Sequence, residues 1–203
     1  DQIKELLKAS DNKDAFDLDF NFSLPGKKLN TIIQNYKPHI IHFSGHGENK
    51  GLIFTDDSGE KSHFVTKEAL AHLFELCKPH LQVVFLNACY SANQTEDIVA
   101  QVPFLIGMNA AIGDDAALLF AKGFYRKIFE KKQSEQLDIK TAFKAGMSEI
   151  WTGDMPKDER LKPVLLMPPF IPHCKQDVFV CFSKADEEWT NVLKQSLKDD
   201  LEN

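Results

Sequence analysis

Ile40-Ile41-His42-Phe43-Ser44-Gly45-His46-Gly47 and Val83-Val84-Phe85-Leu86-Asn87-Ala88-Cys89-Tyr90-Ser91 follow one pattern. Each is a short apolar run, as expected of a buried strand, followed at once by small residues and a reactive side chain. The chain between them carries a hairpin-like stretch and a helix, enough for the crossover that a parallel neighbour requires. Side by side in one parallel sheet, the two runs would deliver His46 and Cys89 together at its carboxyl edge, where open α/β sheets bind ligands. A thiol beside an imidazole is a nucleophile with its base.

Outward from these runs the pattern is one of alternating strands and helices. Residues 2–8 read as a helix. Residues 16–22, Phe-Asp-Leu-Asp-Phe-Asn-Phe, alternate strictly and predict a strand with one wet face. Pro25-Gly26 makes a turn before a short helix over 28–36. Apolar stretches at 52–55 and 63–65 flank Asp56-Asp57-Ser58-Gly59, a hairpin by its turn residues. Thr66 is a helix cap, with Glu68 in the first turn of a helix through Cys77. Ser91 reads as the cap of a helix over 91–101, and 103–108 is a further strand. Asp114 reads as the cap of a helix to about 131 that places Phe120, Phe124 and Ile128 on one face. Asp138 opens a helix ending near Trp151, and 163–167 is a last short strand. Such alternation predicts an α/β sandwich around a mostly parallel sheet. After Pro172 the pattern restarts, with a strand over 177–183 and an amphipathic helix over 185–201. One strand and one helix cannot bury a core alone, so this part reads as the start of a second domain.

Composition narrows the function. The 203 residues suit one domain and a fragment of another, and 43% apolar residues is ample for a core. A net charge of −6 and a pI near 5.6 leave no basic stripe to neutralise phosphates, so no nucleic-acid partner is expected. No apolar run approaches the ~20 residues of a membrane span, and the charged start does not read as a signal peptide. Cys77, Cys89, Cys174 and Cys181 lack CxxC spacing, so neither a zinc site nor a disulfide framework is expected, and a reducing cytoplasm is the default. No metal or cofactor is called for.

Four segments together resemble the CHAT domain, a caspase-like cysteine peptidase family in the clan of caspases, separases and gingipains. They are His42-Phe43-Ser44-Gly45-His46-Gly47, Leu86-Asn87-Ala88-Cys89-Tyr90-Ser91, Val102-Pro103-Phe104-Leu105-Ile106-Gly107-Met108 and Ala121-Lys122-Gly123-Phe124-Tyr125. The resemblance implies a caspase-like three-layer sandwich over residues 1–170, with His46 and Cys89 at the family's two catalytic positions. It further implies an oxyanion hole made by the backbone N–H groups of Gly47 and Cys89. Caspase-like sheets begin with a central strand next to the histidine strand, and on this reading that first strand is missing from the chain. The backbone edge of residues 40–43 then needs another partner. An N-terminal segment outside this sequence is the first candidate, and the tail strand over 178–182 the second.

Relatives that cut after Lys or Arg usually carry Asp two positions before the cysteine. Here Asn87 stands there and cannot supply a buried negative charge. The expected pocket takes neutral or apolar side chains, unless Asp114 or Asp115 supplies the charge. Asn87 is either part of that pocket or a partner of nearby backbone. The loop over 109–115 either lines the pocket or serves only to cap its helix. His42, inside the strand, reads as a core histidine. Residues 171–203 are read as a linker and the truncated start of a TIR-like domain, from Asp177-Val178-Phe179-Val180-Cys181-Phe182-Ser183 and Glu187-Glu188-Trp189. The expectation is a cysteine endopeptidase acting on a protein substrate in regulated proteolysis or bacterial defence. In the full-length protein the TIR part would sense a nucleotide-type signal or drive self-assembly. The rival expectation is an inactive caspase-like module for assembly or binding.

Overall fold

The computed structural model describes residues 2–21, 24–48, 50–56, 62–78, 80–93, 95–132 and 135–168. The chain divides into two units, Asp1–Pro168 and Pro169–Asn203. The TIR-like reading of residues 171–203 and the tail strand over 178–182 fall outside the described residues.

The two runs that opened the sequence form strands β1 (Ile40–Ser44) and β5 (Val83–Asn87). They pair in parallel, from Ile40 opposite Val83 to Ser44 opposite Asn87. Strand β6 (Phe104–Met108) lies parallel on the other side of β5, and β7 (Pro163–Leu166) closes the sheet antiparallel to β6. The order is therefore β1-β5-β6-β7, with residues 83–86 of β5 and 105–108 of β6 buried. The connection from β1 to β5 passes through a small antiparallel sheet of β2 (Gly47–Glu48), β3 (Gly51–Thr55) and β4 (Ser62–Thr66), then helix α3 (Lys67–Glu75).

Strand alternation sorts the core into two layers. Val84, Leu86 and Leu105 face α3 together with Ile33 of α2 (Leu29–Tyr36) and Ile98 of α4 (Glu96–Val99). Val83, Phe85, Ile106 and Met108 face the long helices α5 (Asp114–Phe129) and α6 (Ile139–Thr152), with Ile3 and Leu6 of α1 (Gln2–Lys8) alongside. The result is a three-layer, caspase-like α/β sandwich. Gly123 explains itself at the crossing of α5 and α6, since a Cβ there would come within 2.5 Å of the Ala145 carbonyl oxygen.

Several local readings change. Residues 16–21 form no strand: Phe16 and Leu18 pack on the α5 layer instead, with the Phe16 and Phe129 rings 5.2 Å apart. The helix expected over 91–101 shrinks to α4, because Ser91 spends its hydroxyl elsewhere. Helix α5 is capped by Gly113, with Asp114 its first helical residue. Thr66 and Asp138 do cap their helices, accepting from Ala69 N at 3.2 Å and Thr141 N at 3.0 Å. Among the described residues, β5 is the strand paired with β1.

Candidate active site

His46 and Cys89 each lie two residues beyond the last register pair of β1 and β5, Ser44 opposite Asn87. The ladder extends one step further, with Gly45 N donating to the Asn87 carbonyl at 3.3 Å. Both reactive residues therefore leave the carboxyl edge of the parallel sheet at the same level. His46 is exposed and Cys89 half-buried with a free thiol. The chain after His46 turns into the small sheet, where the His46 carbonyl accepts from Ile53 N at 3.0 Å and Gly47 pairs with Leu52.

Gly47 brings the two segments into close contact. A Cβ at that position would lie 3.0 Å from the Ala88 Cβ and 3.0 Å from the Cys89 carbonyl oxygen. Any side chain there would force the neighbouring backbone to give by a few tenths of an ångström, so glycine suits the close approach of this segment to Cys89. Beside this contact Gly47, Glu48, Lys50 and Tyr90 line an open depression of about 490 Å³.

The turn after Cys89 is held from beneath. The Ser91 hydroxyl donates to the Leu86 carbonyl at 2.7 Å and accepts from Met108 N at 2.9 Å. Ala92 N donates to the Met108 carbonyl at 3.0 Å. Tyr90 adopts φ 56°, a left-handed conformation that costs a non-glycine residue strain and gathers at functional turns. The Lys67 ammonium donates to the carbonyls of Asn93 and Tyr90, the latter at 3.5 Å. Sequence reasoning passed over Lys67. The available signal was its sign, a cation directly after a helix cap where acids are favoured.

The remaining expectations separate. Asn87 is half-buried, and its backbone carbonyl takes up the Gly45 N–H. Asp114 and Asp115 are exposed in the first turn of α5, the helix that follows β6 in the chain. Among the described residues no hydrogen bond or ion pair joins either to His46 or Cys89. The loop before them is tied elsewhere: Gly113 N donates to Glu159 Oε2 at 3.1 Å and Asn109 Nδ2 to the Leu161 carbonyl at 3.0 Å.

His42 belongs to the core. Its ring stacks on Phe85 at 4.2 Å, and its Nδ1 shares a 3.1 Å hydrogen bond with the Tyr125 hydroxyl. The residue as a whole is half-buried, but Nε2 is sealed from solvent and lacks a partner. Burial of the ring pushes its pKa down to about 4 and raises that of Tyr125 above the usual range. Cys77 is likewise a packing residue, its thiol bonded to the Leu73 carbonyl at 3.3 Å and its pKa raised by burial.

A caspase-like sandwich with histidine and cysteine leaving adjacent parallel strands defines a class of protein. Residues 1–142 match the CHAT domain, and the chain belongs to that family. It is similar to a "Probable protease" of Gillisia limnaea, 29% identical over 135 residues, which are 66% of this chain and 24% of that protein. It is also similar to a "Roc-COR-CHAT protease" from an unknown prokaryotic organism, 26% identical over 153 residues, 72% of this chain and 14% of that protein. The chain thus spans about a quarter and a seventh of the lengths of these relatives. Among the described residues no helix is long and apolar enough to cross a membrane, and no cluster of His, Cys, Asp and Glu is arranged to hold a metal ion.

Proposed function

We propose that this chain is a cysteine endopeptidase domain that hydrolyses a target polypeptide in the cytoplasm, with Cys89 as nucleophile and His46 as its base. The observation that carries the reading is the packing of Gly47 on the Cys89 backbone, which joins the segment after the histidine to the segment of the cysteine. Family membership and the names of the two relatives support it.

The chemistry follows from the groups present. His46 takes the thiol proton as the Cys89 sulfur attacks the scissile carbonyl carbon. The carbonyl oxygen becomes an oxyanion, and the N–H groups of Gly47 and Cys89 donate to it. Collapse breaks the C–N bond, and His46 passes its proton to the leaving amine. Water, deprotonated by His46, then attacks the thioester, releases the new carboxylic acid and returns the proton to the Cys89 sulfur. The depression beside Gly47 and Tyr90 receives the substrate chain.

Reaction with iodoacetamide, read by peptide mass spectrometry, tests this. Cys89 should alkylate at least tenfold faster than Cys77, and faster than in the His46→Ala variant. A Cys89 thiol with the reactivity of an ordinary free cysteine, unchanged by His46→Ala, would overturn the reading and leave a binding module.

A further inference from the structure

Lys67 breaks two rules of placement at once. It is the first residue of α3, where the helix dipole favours acids, and it is only 4% exposed, where cations are rare. Its side chain donates to the carbonyls of Tyr90 and Asn93, in the turn that follows Cys89. Its backbone N–H donates to the Lys50 carbonyl at 3.1 Å, in the connection between β2 and β3. One residue therefore grips both loops that meet at the candidate site. The first carries the strained Tyr90 at φ 56°. The second belongs to the hairpin that holds the His46 carbonyl through Ile53 N.

We propose that Lys67 is a positioning residue, whose ammonium on the Tyr90 and Asn93 carbonyls holds the Cys89 turn in register with the His46 hairpin. The inference rests on the reading of Cys89 as the nucleophile. Backbone carbonyls drawn inward onto the ammonium fix the direction of the peptide planes after Cys89, so its thiol and N–H keep one presentation. Burial lowers the Lys67 pKa, and the charges of Glu96 and Glu68 oppose that shift. An apolar side chain at this position would avoid the costs in dipole and desolvation but would leave the Tyr90 and Asn93 carbonyls without this donor.

Lys67→Met removes the charge and the donors but keeps the stem. Lys67→Arg keeps a cation with donors. In the intact protein, hydrogen exchange of the peptide spanning 88–93 should rise about tenfold in Lys67→Met and return toward wild type in Lys67→Arg, with the rest of the chain unchanged. Hydrolysis of a peptide library should fall about 10²-fold in kcat for Lys67→Met, the scale of a small misplacement, with KM held within about threefold. Lys67→Arg should regain at least about tenfold. Full hydrolysis by Lys67→Met, equal loss in both variants, or loss only in proportion to unfolded protein overturns the positioning role. Raised exchange in Lys67→Met with no hydrolysis by the wild type sinks the peptidase reading instead, and reduces Lys67 to a clamp on the turn.

Discussion

The Cys89 carbonyl oxygen lies where a side chain at Gly47 would press: a Cβ there would be 3.0 Å away. Gly47 belongs to the small antiparallel sheet, and Cys89 lies two residues past the end of β5 in the parallel one. Their contact sets how near the histidine segment comes to the cysteine segment.

Gly47→Ala should therefore injure activity more than folding. The added methyl must push on backbone rather than on a flexible side-chain tip, and overpacking of this kind costs about 1–3 kcal/mol. The same push tilts a proposed oxyanion donor, for which a loss of about 10²–10³ in kcat is expected. Thermal melting and kcat measured on the same preparation check the split. A variant that melts several degrees lower yet keeps its kcat would refute it.

For the proposed dyad, Cys89→Ala and His46→Ala should each abolish cleavage. The double variant should be no worse than either single one, because the two groups act as a unit. Rate constants for the three variants against one peptide library supply the comparison. Additive losses would show that the residues work independently.

Specificity should be blind to basic residues before the cut, since Asn87 offers no negative charge and, among the described residues, no hydrogen bond or ion pair ties Asp114 or Asp115 to the candidate site. Profiling against a peptide library should return neutral or apolar side chains. Asp114→Asn and Asp115→Asn should leave the profile unchanged. A strict Lys or Arg requirement that disappears in either variant would bring these carboxylates into the pocket after all.

Stability should fall on mild acidification because of His42. Its folded pKa of about 4 lies below the ordinary 6.5. Between those values the unfolded chain binds a proton that the folded chain refuses, so stability is full above pH 6.5 and drains away as pH falls toward 4. The integrated effect approaches about 3 kcal/mol. Urea melts at pH 7, 5.5 and 4.5 should show the decline, and His42→Phe should flatten it. An equally steep decline in His42→Phe would assign the effect to another group.

Much of this arrangement is legible in the sequence, where local chemistry and tertiary structure agree. The apolar runs leading to His46 and Cys89 are parallel neighbours, and the apolar stretches at 52–55 and 63–65 do pair antiparallel. What misleads is long-range competition for local signals. The alternation over 16–21 matches a strand, but Phe16 and Leu18 satisfy it by packing on α5 without a ladder. Ser91 has the chemistry of a cap, yet its hydroxyl is drawn to Leu86 and Met108. Asp114 cedes the cap to Gly113, which Glu159 holds from 46 residues further on. Lys67 reads as one more surface lysine until the turn that covers it is in place.

The Ser91 hydroxyl also constrains how this sequence can vary in length. The ladder between β5 and β6 ends at Phe85 opposite Ile106, although β6 continues to Met108. Beyond that point one side-chain oxygen spans the two strands, accepting from Met108 and donating to Leu86. The chain from Leu86 to Ser91 must close on itself through a left-handed Tyr90 to bring that oxygen back. Inserting or deleting one residue there would withdraw the hydroxyl from both backbone groups. The distance in sequence between the strand, the cysteine and the serine is therefore a matter of spanning a gap. Homologues can be expected to exchange side chains within this run far more freely than they change its number of residues.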